Sequence, residues 1–154
     1  FTSDHGYHLG EHTFWQKGNL HEEVTRVPLV LSVPGKKPGK SSSIVELTDL
    51  FPTLADLAGL AIPKDVQGKS LRPVLDDPAA IIKEGALSFV SRGLSIRTPG
   101  WHYARYNNGK AEELYDMKAD PHQFRNLAAS NRHKGQLEHL QNLLQKKKRQ
   151  YFLK

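Results

Sequence analysis

Cysteine is absent from the 154 residues, and methionine occurs once, at Met117. The first absence excludes disulfides and thiolate ligands within this sequence, and it leaves the compartment open because many exported proteins also lack cysteine. The second leaves the start without an initiator residue, and no signal-peptide pattern stands there either. Any export signal is therefore expected upstream, and the sequence reads as a piece of a longer protein. No uninterrupted apolar run approaches the roughly 18 to 20 residues that a spanning helix needs, so no membrane span is expected. Internal repeats are missing too. The net charge is +6, with part of the excess in Lys146-Lys147-Lys148-Arg149. No aromatic interleaving or nucleic-acid motif accompanies that run, so no nucleic acid is expected as a partner. Cations in the last turns of a helix complement its dipole and solvate an exposed face. The alternative is a non-catalytic module that binds polyanions.

What remains is ordinary globular material: 38% apolar and 25% charged residues, enough for one or two small cores. The densest stretch comes first. Phe1-Thr2-Ser3-Asp4-His5-Gly6-Tyr7-His8-Leu9-Gly10-Glu11-His12 packs two carboxylates, three imidazoles and two glycines into twelve residues. Glycines allow sharp turns and close backbone approach, so this reads as a site loop leaving a strand.

Val27 to Val33 is a β-branched and leucine-rich run that predicts a buried strand, ended by Pro34-Gly35. A polar loop follows over Lys36 to Ser43. Thr48 or Asp49 is placed to cap a helix carrying Leu50, Phe51, Leu54, Leu57 and Ala58, with Pro52 in its first turn and Gly59 as its stop. Ser70 is placed to cap a short turn through Leu71 and Leu75, and Asp76-Asp77-Pro78 punctuates the chain. Beyond it, Ala86 to Val90, Leu94 to Thr98, Trp101 to Tyr106 and Glu112 to Tyr115 are short runs separated by Arg92-Gly93, Pro99-Gly100 and Asn107-Asn108-Gly109. They predict a meander of about four antiparallel strands. Leu137, Leu140 and Leu144 mark one stripe of an amphipathic final helix. The expected organisation is residues 1–78 as the end of a large α/β domain, and residues 79–154 as a small antiparallel β domain with a terminal helix.

Asp4 is a hard oxygen donor and His5 a borderline nitrogen donor. Neighbours on a strand point to opposite faces, so both reach one ion only where the strand breaks, and Gly6 allows that break. A bare Asp-His pair is equally a hydrogen-bonded carboxylate beside a solvated imidazole. His8-Leu9-Gly10-Glu11-His12 fits H-x-x-E-H, the inverted zinc-peptidase pattern. That pattern needs a helix to put both imidazoles on one face; Gly6 and Gly10 oppose one, and no third ligand with useful spacing follows.

Several ordered blocks together resemble the type I sulfatases of the alkaline-phosphatase-like superfamily. They are Ser3 to His12, Trp15-Gln16-Lys17, Glu23 to Leu29, Thr48 to Leu54 with Ala58-Gly59-Leu60, Gly68 to Leu71, Glu113 to Asp116, Asp120-Pro121 and Asn126-Leu127. Asp4-His5 is most similar to the group with iduronate-2-sulfatases and choline sulfatases. The resemblance implies the C-terminal part of an α/β sulfatase fold, ending in a small antiparallel sheet and a C-terminal helix. It implies Asp4 and His5 as ligands of a divalent metal, calcium, and Lys17 as the catalytic residue contacting sulfate. Calcium sites are built from oxygens, so His5 fits that metal poorly. Second-shell or structural roles are implied for His8, Glu11, His12 and Arg26, whereas Tyr7 and Trp15 either wall a substrate pocket or pack.

The family's nucleophile is a formylglycine made from a C/S-x-P-x-R motif. Ser32-Val33-Pro34-Gly35-Lys36 has lysine where arginine is needed and reads as an exit turn, so that nucleophile is expected upstream and the fragment alone is expected to be inactive. The implied partners are a sulfated small molecule or sulfated sugar and the N-terminal part of the same enzyme. A periplasmic, extracellular or lysosomal location is suggested by the resemblance only. A phosphoesterase of the same superfamily is the rival enzyme.

Overall fold

The computed structural model describes residues 1–152. Its organising element is an antiparallel meander of β1 (Ala86–Val90), β2 (Gly93–Arg97), β3 (Trp101–Tyr106) and β4 (Ala111–Asp116), in spatial order β1-β2-β3-β4. The turns fall where the sequence places them. Val90 pairs with Gly93 and Arg97 with His102, so Pro99-Gly100 sits in a closed corner where the Thr98 N–H donates to the Trp101 carbonyl at 2.9 Å. Asn107, Asn108 and Gly109 all have positive φ, the left-handed backbone that asparagine and glycine tolerate best.

Register sorts the side chains of the sheet onto two faces. Leu87, Ile96, Tyr103 and Leu114 pair across neighbouring strands in one row. That row meets Leu140, Leu143 and Leu144 of the terminal helix, Lys134–Phe152, in the main apolar cluster. Each fully buried leucine contributes about 1.5 to 3 kcal/mol of transfer free energy. The predicted stripe is therefore real, widened by Leu143. The opposite face carries Arg97, His102 and Tyr115, also in one cross-strand row, and it is covered by the N-terminal segment. The Arg97 Nε donates to Glu22 Oε1 at 2.8 Å, and the Glu22 N–H donates to Gln123 Oε1 at 2.7 Å. The sheet thus lies between a helix and the loop that bears the candidate ligands.

Ahead of the sheet are α1 (Glu22–Thr25), α2 (Leu50–Leu57) and α3 (Arg72–Asp76), with the sheet-covering helix as α4. Gly59 ends α2 with φ +69°, as the sequence predicts. Asp49 stands at the N-cap position of α2 as the sequence predicts, but its side chain makes no capping bond to α2. Its Oδ2 accepts the Glu46 N–H at 2.8 Å, closing a capping box around the short turn Leu47–Asp49 that precedes α2. The predicted strand at Val27 to Val33 is also not formed. Only Leu29 bridges, to Thr2, and Val30 is 60% exposed, because no neighbouring strand among the described residues offers a ladder. No helix among the described residues is long and apolar enough to cross a membrane.

α2 is joined to the sheet by a buried ion cluster. The Lys83 ammonium donates to Asp49 Oδ1 at 2.5 Å and also to Glu46 Oε2, with all three side chains nearly sealed from solvent. Glu46 Oε1 takes the Leu87 N–H of β1 at 2.7 Å, and Glu46 Oε2 takes the Tyr151 hydroxyl of α4 at 2.8 Å. Removing the one cation strands two buried carboxylates, so Lys83→Met should lower the unfolding free energy by about 3 to 5 kcal/mol. Urea denaturation of the variant against the parent checks this; a loss below about 1 kcal/mol would show that water reaches the carboxylates.

His102 is fully buried, and desolvation followed by the charge of Arg97 lowers its pKa to about 3. Unfolding exposes it to an ordinary value near 6.5, so the unfolded state binds the extra proton. The contribution is therefore fully present above pH 6.5 and is lost as pH falls from there towards 3, at up to about 1.4 kcal/mol per pH unit. His102→Asn should flatten the acid limb of the stability profile by that slope, read from denaturation curves between pH 4 and 7.

Candidate functional site

The site loop doubles back on itself. The His8 N–H donates to the Gln16 carbonyl at 3.2 Å and the Gly10 N–H to the Phe14 carbonyl at 3.0 Å, with Gly10, His12 and Thr13 all at positive φ in the turn. Two consecutive left-handed non-glycine residues cost on the order of 1 to 3 kcal/mol each, a strain that concentrates at functional positions. The return brings Lys17 to the start of the loop. Its Nζ lies 2.6 Å from His5 Nε2.

His5 is oriented by its other nitrogen. Nδ1 donates to the Gly6 carbonyl at 2.8 Å, which leaves the Nε2 lone pair facing Lys17, with Asp4 Oδ2 3.6 Å away. The His5 N–H donates to Asp4 Oδ1 at 3.0 Å, and this bond holds the Asp4 carboxyl below its ordinary value. Asp4, His5 and Lys17 therefore converge at the surface, where Asp4 is largely exposed. An anionic oxygen, an imidazole lone pair and an ammonium at one spot can hold a cation and pair with an anion.

Tyr7 and Trp15 are both exposed, and the Tyr7 hydroxyl donates to the Trp15 carbonyl at 2.7 Å. Arg26 reaches only Glu22, at 3.8 Å from an exposed position. Ser32 to Lys36 is a turn closed by the Lys36 N–H on the Val33 carbonyl, with Gly35 at φ +77°, in line with an exit turn.

No α-helix forms over His8 to His12, in line with Gly6 and Gly10; Glu11–Thr13 is a short 3-10 turn, yet the His8 and His12 rings lie 5.8 Å apart, centroid to centroid. A third ligand-type ring, which the sequence reading did not find, stands beside them. His21 lies 5.8 Å from His8 and 4.2 Å from His12 by the same measure, and Glu23 Oε2 is 3.8 Å from His12 Nε2. Burial, and then the nearby charge of His21, lowers the His12 pKa. Sequence spacing could not find this group, because a strained turn rather than a helical period brings its members together.

Comparison with known proteins adds a family. The model of the N-sulphoglucosamine sulphohydrolase C-terminal region matches residues 10–150. An N-acetylglucosamine-6-O-sulfatase of Bacteroides thetaiotaomicron is 35% identical over 98% of this chain and 30% of its own length. A solved protein in complex with its substrate D-glucosamine-2-N,6-O-disulfate superposes with a TM-score of 0.89 at 34% identity, over 97% of this chain and 33% of that one. A phosphonate monoester hydrolase from Silicibacter pomeroyi superposes with a TM-score of 0.84 at 26% identity, over 98% of this chain and 34% of that one. The chain spans about a third of the length of each.

The loop is anchored where Gly6 passes α1. The Gly6 N–H donates to the Val24 carbonyl at 2.8 Å, and a Cβ added there would stand 1.9 Å from the Glu23 carbonyl oxygen. That clash is with backbone and cannot be relieved by a rotamer. Gly6→Ala should therefore push the loop off α1, lower the melting temperature by several degrees, and make the peptide bonds from Tyr7 to Gly18 newly susceptible to protease. Unchanged protease resistance would mean that the close approach does not fix the loop.

Proposed function

The chain belongs to the sulfatases, as a member of the N-sulphoglucosamine sulphohydrolase C-terminal family, and on that premise we propose that it supplies one wall of a sulfuric ester hydrolase active site within a longer protein. The convergence of Asp4, His5 and Lys17 on one spot carries the reading. Asp4 and His5 would hold a divalent cation. Their donors fit one: the carboxylate is exposed and charged, and the His5 tautomer leaves a lone pair on the same side. The family resemblance gives that cation as calcium; one oxygen and one nitrogen donor suit a transition metal at least as well. When bound, the cation would polarise the sulfuryl oxygens as a Lewis acid.

Lys17 supplies the mobile charge. The His5 Nε2 lone pair serves either an ammonium or a cation, so Lys17 turned away from His5 is free to pair with an anionic sulfuryl oxygen or with the departing ester oxygen. Tyr7 and Trp15 present exposed aromatic faces beside it, suited to a sugar ring. The disulfated glucosamine bound by the structural neighbour supports a sulfated sugar as substrate. The nucleophile, a formylglycine, would come from another segment of the longer protein, and this chain alone would not turn over sulfate esters.

That segment also has a surface to pack on. An apolar groove of about 390 Å³ is lined by Phe1, Leu29, Leu31, Leu50, Leu54 and Leu57, of which Phe1 and Leu54 stand exposed. The polyanion-binding alternative is weakened by Lys147, which is half-buried beside Glu46 and Lys83 rather than fully presented to solvent.

In the longer protein, Lys17→Ala should slow turnover of an N- or 6-O-sulfated glucosamine about a hundredfold or more, with metal content unchanged. The isolated 154-residue chain serves as the blank in that assay. Unchanged kcat and kcat/KM would strike Lys17 from the site. Turnover by the isolated chain, abolished by Asp4→Ala, would overturn the division of labour. Faster cleavage of phosphonate than of sulfate esters would favour the chemistry of the Silicibacter neighbour.

A further inference from the structure

Next to the proposed catalytic group lies a second cluster that shares none of its residues. One ligand-type atom from each of His8, His21 and Glu23 lies within 4.8 Å of the other two. His8 is fully buried and His21 is 7% exposed, and the atoms aimed at one another have no hydrogen-bond partner. Those atoms are His8 Nδ1, His12 Nε2, both ring nitrogens of His21, Glu23 Oε2 and Glu113 Oε2. Leaving a buried polar atom unpaired costs about 1 to 3 kcal/mol, so several in one place call for something that pairs them.

The spacings say what. His12 Nε2 and Glu23 Oε2 are 3.8 Å apart, and His21 Nε2 and Glu113 Oε2 are 3.6 Å apart. Both are too long for hydrogen bonds. The first approaches the edge of a tetrahedral coordination sphere, about 3.3 Å for ligands at 2.0 to 2.1 Å from zinc. Closing the 4.8 Å among His8, His21 and Glu23 to that edge takes a shift of less than about 1 Å per side chain, and His12 joins them through Glu23.

Orientation agrees. His8 Nε2 faces the Asn19 side chain, with Nδ2 at 2.9 Å and Oδ1 at 3.1 Å; in the tautomer that donates to Oδ1, the buried Nδ1 keeps its lone pair for a cation. Glu113 stands ready to take the N–H of His21. A carbonyl or carboxylate on the far nitrogen is the usual partner of a metal-bound histidine. The strained φ values of His12 and Thr13 have the effect of swinging the His12 ring into this group.

We propose that His8, His12, His21 and Glu23 form a closed, structural site for a zinc-type divalent cation that pins the catalytic loop to α1 and the sheet. Three imidazoles and one carboxylate are a nitrogen-rich set that suits Zn(II) or Co(II) rather than calcium or magnesium. Phe14 and Tyr115 flank the His21 ring and Phe124 the His12 ring, leaving little room for substrate. His8 and His12 lie between His5 and Lys17 in the chain, so a cation here fixes how that loop returns.

The test uses the longer protein carrying Asp4→Ala, which removes the other candidate ligand set. Stripped with a chelator and re-supplied, it should retain about one Zn(II) per chain and gain several degrees in melting temperature. Co(II) should give the visible bands of a tetrahedral site. His8→Gln/His21→Gln should lose all three signals, and Glu23→Gln, close in shape, should weaken zinc retention at least tenfold. If the double variant does not fold, the Glu23→Gln result decides. Protein that is folded by circular dichroism yet retains no Zn(II) and shows no Co(II) bands would overturn the proposal. So would retention unaffected by Glu23→Gln.

Discussion

One ammonium buried between two carboxylates is the joint on which this fold depends. Lys83, in the connector before β1, touches Asp49 at the head of α2 and Glu46 just ahead of it. Glu46 in turn holds the first strand through Leu87 and the last helix through Tyr151. The apolar cluster lies between the sheet and α4 and does not include α2, so it cannot orient the N-terminal half. Directional charge–hydrogen-bond contacts do so instead, at a high desolvation cost that is recovered only if every partner is present.

With that joint made, the sheet acts as a two-faced platform. One face spends its side chains on leucine packing. The other spends Arg97, His102, Glu113 and Tyr115 on the N-terminal segment, through Glu22, Gln123 and His21. Gly93 shows how close this approach is: a Cβ there would stand 2.9 Å from Leu20. Residues some eighty to a hundred positions downstream therefore support the loop.

Different parts of this arrangement were legible in the sequence to different degrees. The meander was readable because turn chemistry is local: Pro99-Gly100 and Asn107-Asn108-Gly109 dictate their own backbone. The α4 stripe was readable because helical period is local too. Asp49 was placed correctly at the head of α2, but the destination of its side chain was not legible because two of its partners, Lys69 and Lys83, are 20 and 34 residues away. Val27 to Val33 carries strand composition, but composition cannot say where the partner strands are. The meeting of Lys17 with His5 was suggested only by resemblance and depends on a turn with unusual φ values. His21 left no local pattern, and Glu23 and Glu113 entered only as members of blocks of resemblance, with no role attached.

The strained turn explains why so much structure supports so short a loop. Gly10, His12 and Thr13 hold conformations that an isolated peptide would leave, and Asp4 is too exposed to gain stability from its neighbours. The loop's own hydrogen bonds, His8 to Gln16 and Gly10 to Phe14, fix its ends but cannot aim it. Aim comes from Gly6 against α1 and from the histidines seated over the sheet. The placement of Asp4, His5 and Lys17 is thus a property of the platform, and in the proposed site a change at Glu113 or Gln123 would reach the chemistry without touching any of these three groups.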